Sequence, residues 1–267
     1  AGLISLRSVV RFHFPLPFCI MKYFTNSKLI FIFLIFLIIF LAQGLVCKYF
    51  ELNFCNYGFF INVWEENGLI ENMQSLLLVT AIFFLYKARS NFKHIKIISY
   101  FIAIKILALI YFLGEEISWG QHFFNWESPG FFENKNNQQE TNLHNISNLF
   151  DQLPRTFVLL WCGLTPFCVV FAKRFINLDK KILFILYPNK KLIYISSIIL
   201  FFVLPDLIVD KFSFHPGHVD KFGYDMSGAI FYDNISFNFI KRLSELHELL
   251  FTFYFANYAF FLNKKTF

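Results

Sequence analysis

Glu115 and Glu116 stand side by side in LGEEISWGQHFFNWE (residues 113–127), where a long apolar run meets a polar segment. Carboxylates at the edge of a hydrophobic phase are costly to hold and ordinarily have a partner or a task. If a helix runs on through the motif, steps of about 100° put Glu115, Ser118, Trp119 and His122 on one face. Glu116 then projects about a quarter turn away. Such a face offers an acid, a base and an indole donor.

Further groups could join it. Glu140, Asn142, His144 and Asn145 fall in ETNLHN (140–145), and Gln121 follows the acids directly. Glu71 and Gln74 share a helical face with Ser75, while Glu245 and Glu248 share one with Ser244 and Thr252; His247 points the other way. Helix bundles build sites from inward carboxylates and histidines on facing helices. Two chemistries fit. Glu116, His122 and His144 could hold a divalent metal such as zinc that activates water. Without a metal, Glu115, Glu116, His122 and His144 could act as general acids and bases. The structural alternative is that acids and amides at helix ends serve as caps and interhelical hydrogen bonds. That alternative is favoured for Glu71 with Gln74 and for Asp206 with Asp210, and the catalytic one for the double acid. His215 and His218 flank a Pro-Gly turn and are read as a surface turn, and mid-span Lys105 as snorkelling or paired with a polar neighbour.

The elements that must position these groups are membrane helices. Of 267 residues 57% are hydrophobic, mean hydropathy is +0.52, and only 16% are charged, well under the roughly 25% usual in soluble domains. The expected fold is an all-α polytopic bundle of about six transmembrane helices. Spans are expected at 29–46, 69–86, 97–117, 157–175, 192–209 and 246–262. Residues 1–20 read as a non-native or flexible extension, leaving 21–267 as one membrane domain with long outer loops at 125–155 and 210–242. The first span is expected to be a retained anchor rather than a cleaved signal. The five cysteines form no metal-ligand spacing.

The basic residues orient the chain. With the N-terminus inside, inner segments hold 14 of the 24 Lys and Arg and outer segments 7, as the positive-inside rule demands. Of 18 acids only Asp179 falls inside, and five of seven histidines fall outside. Both termini are therefore expected on the cytoplasmic side of an inner membrane, with the polar site on the periplasmic or external side. The net charge of +6 is explained by these flanks and implies no nucleic-acid partner.

GEEISWGQ (114–121), the turn WESPGFF (126–132), ETNLHN and ENGLIE (66–71) resemble an uncharacterised family of bacterial multispan membrane proteins, over residues 64–150 and weakly the last span. The resemblance implies a fold and no reaction. A weaker one is to the CAAX-protease and bacteriocin-processing membrane family. Glu115 and Glu116 match its EExxxR acids, but Gly120 replaces the Arg, and the HxxxN (144–148) and FxxxH (214–218) matches come in reversed order.

Two functions follow. One is a membrane-edge hydrolase acting on a lipid or lipid-linked substrate. The other is a non-enzymatic membrane component, such as a transporter, lipid-binding protein or assembly partner, with the same residues in a structural network. Transport is the less favoured version, because the first, fourth and last spans lack the paired Gly/Pro breaks of broken-helix carriers.

Overall fold

The computed structural model describes residues 33–35, 37–39, 42, 68–124, 126–135, 141–143, 146, 148–176, 180–211 and 243–264. These are helical, with no strand among them. In chain order the elements are α1 (Leu69–Asn91), α2 (Lys96–Glu116), a tight turn (Ser118–Gly120), α3 (Gln121–Phe124), α4 (Gly130–Lys135), α5 (Asn148–Leu159), a widened turn (Leu160–Leu164), α6 (Thr165–Ala172), α7 (Lys180–Leu186), α8 (Leu192–Lys211) and α9 (Leu243–Asn263). Among the described residues three helical stretches are long and apolar enough to cross a bilayer: Leu69–Asn91, Lys96–Glu116 and Leu153–Ala172. The chain is a helical membrane protein. The first expected span, the 1–20 extension, Cys47 with Cys55, and the 212–242 segment with His215 and His218 lie wholly or mostly outside the described residues.

The bundle is built around α9, which packs along α1 and α8, while α1 also packs along α2. Residues 245–262 of α9 are all buried, so it is enclosed on every side, as a helix without a solvent or lipid face must be. Two of its polar side chains are satisfied locally. Thr252 Oγ1 donates to the Leu249 carbonyl at 3.0 Å and Asn257 Nδ2 to the Phe253 carbonyl at 2.9 Å. Helix α1 buries one stripe, Ile70, Gln74, Leu78, Ala81, Phe84, Leu85 and Ala88, at three- and four-residue spacing. Phe84 meets Phe260 of α9 edge to face, with centroids 5.3 Å apart. Among the described residues ahead of α1, Phe33 stacks on Phe253 of α9 at 3.8 Å.

The fourth expected span differs from its sequence outline. Helix α5 starts at Asn148, well before residue 157, and runs through Pro154. At Leu160–Leu164 the helix widens, and the Thr165 N–H bonds to the Leu160 carbonyl five residues back. Pro166 supplies the reason. It has no N–H to offer the Cys162 carbonyl, which instead accepts from Ser196 Oγ of α8. Gly163 lets α8 approach: a Cβ there would lie 2.9 Å from Leu200 Cδ2. Pro166 and Gly163 thus mark one local irregularity, a widened turn inside the continuous helical stretch Leu153–Ala172.

Candidate functional site

Helix α2 ends at Glu116, and the helix does not continue through the motif. Ser118, Trp119 and Gly120 have φ of 44°, 54° and 95°, three consecutive left-handed residues. For Ser118 and Trp119 that conformation costs roughly 1–2 kcal/mol each, so surrounding contacts must hold them there. The expected face of Glu115, Ser118, Trp119 and His122 is corrected accordingly, because a reversed turn breaks the 100° step.

What holds the turn is visible at both ends. The Trp119 ring folds back over Gly114, where a Cβ would lie 2.9 Å from three ring atoms. Its Nε1 donates to Glu115 Oε1 at 2.9 Å. The other oxygen, Glu115 Oε2, accepts the Leu143 backbone N–H at 2.7 Å. Asn142 Nδ2 donates to Ser118 Oγ at 3.2 Å, and the Thr141 N–H donates to Gln121 Oε1 at 2.7 Å. Gln121 Nε2 in turn donates to Ser128 Oγ at 3.1 Å, which lies 3.4 Å from Thr141 Oγ1.

The order is regular. Three consecutive residues, 141, 142 and 143, are held by 121, 118 and 115, which step back three at a time along the motif. Glu115, Ser118 and Asn142 are all buried. GEEISWGQ and the TNL of ETNLHN are two halves of one latch. Thr141, Ser128 and the Leu143 backbone were not among the residues singled out from sequence. A turn residue and two amides hint at such pairing, but their spacing does not say with what.

Glu116 has different surroundings. It is partly buried and feels the charges of Glu248 and Glu245 on α9, Glu71 on α1 and Arg155 on α5. Arg155 Nη2 pairs with Glu248 Oε1 at 2.6 Å. Gln74 Nε2 donates to the Glu245 carbonyl at 2.8 Å and to its Oε2 at 3.3 Å, tying α1 to α9. Buried His247 turns toward α8 and hydrogen-bonds the backbone of Phe202. This end of the bundle thus brings together Glu71, Gln74, Glu116, Arg155, Glu245 and Glu248. Arg155, expected in a loop, sits on a helix and is the cation of the group.

Of the expected metal set, Glu116 has a described side chain. The His122 side chain lies outside the described residues, as do Glu140, His144 and Asn145. Among the described residues no group of three or more His, Cys, Asp or Glu is arranged to hold a metal ion. Comparison of the chain with protein-family models, with curated proteins and with solved structures finds no match.

Proposed function

We propose that the protein is a six-span inner-membrane protein, both termini cytoplasmic, whose periplasmic end carries an acid–base site centred on Glu116. In this proposal it is a hydrolase of a lipid or lipid-linked substrate presented at the membrane edge. The observation that supports this is the company of Glu116: three carboxylates from two other helices, with Arg155 as neighbouring cation. Carboxyl groups held together share protons, so a donor and an acceptor stand side by side. Glu116 would take the proton of an attacking water, and a neighbouring carboxyl would return one to the leaving oxygen. Arg155 would face the charge that develops between them. The charge asymmetry of the spans and their flanks supports the orientation.

A second proposal is favoured by Glu115. Both its oxygens are occupied by Trp119 and Leu143, which is how a structural carboxylate is used. On this proposal the protein is a non-enzymatic membrane component, resembling the uncharacterised multispan family, and its motif is a latch. One experiment separates the two. Purified protein in lipid nanodiscs is assayed against a panel of acyl, phosphoryl and glycosyl lipids, as wild type and as Glu116→Gln. The hydrolase proposal expects turnover that falls about a hundredfold or more in the variant at unchanged melting temperature. Absence of turnover in the wild type, with a lower melting temperature in Glu116→Gln, would replace it by the second.

A further inference from the structure

Lys105 is the tenth of the 21 residues of α2, roughly 14 Å along the helix from its inner end and so close to the bilayer midplane. It does not reach either interface. Ile98, Ile102 and Leu109 form the buried stripe of α2, and Lys105 falls on that stripe, three residues after Ile102 and four before Leu109. Its Nζ lies 3.2 Å from the Trp161 ring centroid, 4.5 Å from that of Tyr258 and 5.2 Å from that of Phe101. The aromatic faces hold the ammonium, but among the described residues no carboxylate or carbonyl accepts from it.

Two further donors in the same cluster also lack an acceptor. The Trp161 Nε1–H and the Tyr254 hydroxyl are buried without a hydrogen-bond partner among the described residues. Trp161 is the ring that Nζ caps, and an indole is small enough that its Nε1 lies within a few ångströms of Nζ. Tyr254 stacks along Tyr258, centroids 6.3 Å apart, and Trp161 meets Tyr258 edge to face at 6.2 Å. A buried unpaired donor costs about 1–3 kcal/mol, and two beside one ammonium are rare in a settled core. The floor of the box is closed by buried Cys162, Tyr254 and Tyr258. Phe101, Lys105 and Trp161 of this cluster are only partly buried, and Ile104, Phe157 and Leu160 of the same two helical stretches are exposed. Trp161 and Cys162 both lie in the widened turn at Leu160–Leu164.

We infer that Lys105, Trp161 and Tyr254 form an intramembrane site for a lipid-soluble quinone that enters sideways from the bilayer. The occupant must bring acceptors without donors and must lie at the midplane. It must also present a flat face to aromatic rings. A quinone head group meets all three conditions, and its uncharged carbonyls avoid the cost of taking an anion to that depth. The carboxylate of a fatty acid is the competing ligand. Its charge would suit Lys105, but its head group belongs at the interface. The site is independent of the Glu116 chemistry, which lies eleven residues further along α2.

The test uses full-length protein in nanodiscs doped with a decyl-substituted benzoquinone, read by tryptophan fluorescence quenching. The wild type is expected to show saturable quenching, shifted at least tenfold to higher quinone in Lys105→Met and severalfold in Tyr254→Phe. Trp161→Phe is expected to remove most of the saturable component. A second measurement needs no variant: palmitate added to the wild type should not displace the quinone. Quenching that rises without saturation, that is the same in Lys105→Met, or that palmitate reverses would overturn the proposal.

Discussion

Helix α2 carries two polar regions that are built in opposite ways. At and just beyond its C-terminal end Glu115, Ser118 and Gln121 each meet a named partner from the 141–143 segment, and both Glu115 oxygens are used. At its middle Lys105 sits among three aromatic rings with two further donors that have no acceptor among the described residues. In a low-dielectric setting a closed network rigidifies, while donors left unpaired are costly. The contrast also divides the double acid. Glu115 belongs to the closed kind, and Glu116, one residue on, belongs to a carboxylate group whose cation comes from another helix. Adjacent residues of one type can have unlike roles.

The largest expected effect breaks the closed network. Glu115→Ala leaves the Leu143 N–H without its acceptor and frees the Trp119 indole, so about 2–4 kcal/mol of stability should be lost. The measurement is thermal unfolding in detergent, together with limited proteolysis. The 141–143 segment should become cleavable in the variant and stay protected in the wild type. A melting temperature equal to wild type would mean that the latch is not what holds the turn. Next in size is Gly114→Ala. Its Cβ would meet three Trp119 ring atoms at 2.9 Å, and the ring cannot yield without losing its bond to Glu115. A loss of about 1–3 kcal/mol is expected, and Gly114→Ala in a Trp119→Ala background should cost little more than Trp119→Ala alone.

Much of the architecture was legible in sequence because hydrophobic length reports directly on bilayer thickness. The expected 97–117 span matches α2 to within one residue at each end, and the expected 69–86 span starts with α1 but stops five residues short of Asn91. Three features were not legible. The central position of α9 leaves little trace, since a helix enclosed by helices and one facing lipid are both apolar. Thr252, Asn257 and the small Ala256 and Ala259 are the faint signal. The left-handed turn was hidden because Ser118 and Trp119 are poor markers of positive φ, and Gly120 alone hinted at it. The pairing of 115, 118 and 121 with 143, 142 and 141 is long-range. Periodicity places residues on a face but does not say which loop will cover it.

A smaller effect sharpens the division within the double acid. Arg155→Gln removes a cation that is 37% exposed at its side chain, so the pair with Glu248 at 11% is worth at most about 1 kcal/mol in stability. If Arg155 serves the Glu116 group functionally, the variant should lose much more of any turnover than of stability. A loss of both in proportion would make it a simple strut.

The smallest expected effect concerns the open region. Lys105→Met removes an ammonium that no carboxylate among the described residues neutralises and replaces it with an apolar chain of similar length. Lost cation–π attraction, about 0.5–2 kcal/mol, opposes the relief of no longer holding a charge at midplane. The two should nearly cancel, leaving stability within about 1 kcal/mol of the wild type. Because Glu115→Ala is expected to cost several times as much, unfolding both variants in one detergent tests the comparison itself. A severe loss in Lys105→Met would show that the aromatic box is as closed as the latch, with the lysine as its keystone, and that its unpaired donors are tolerated for structure alone.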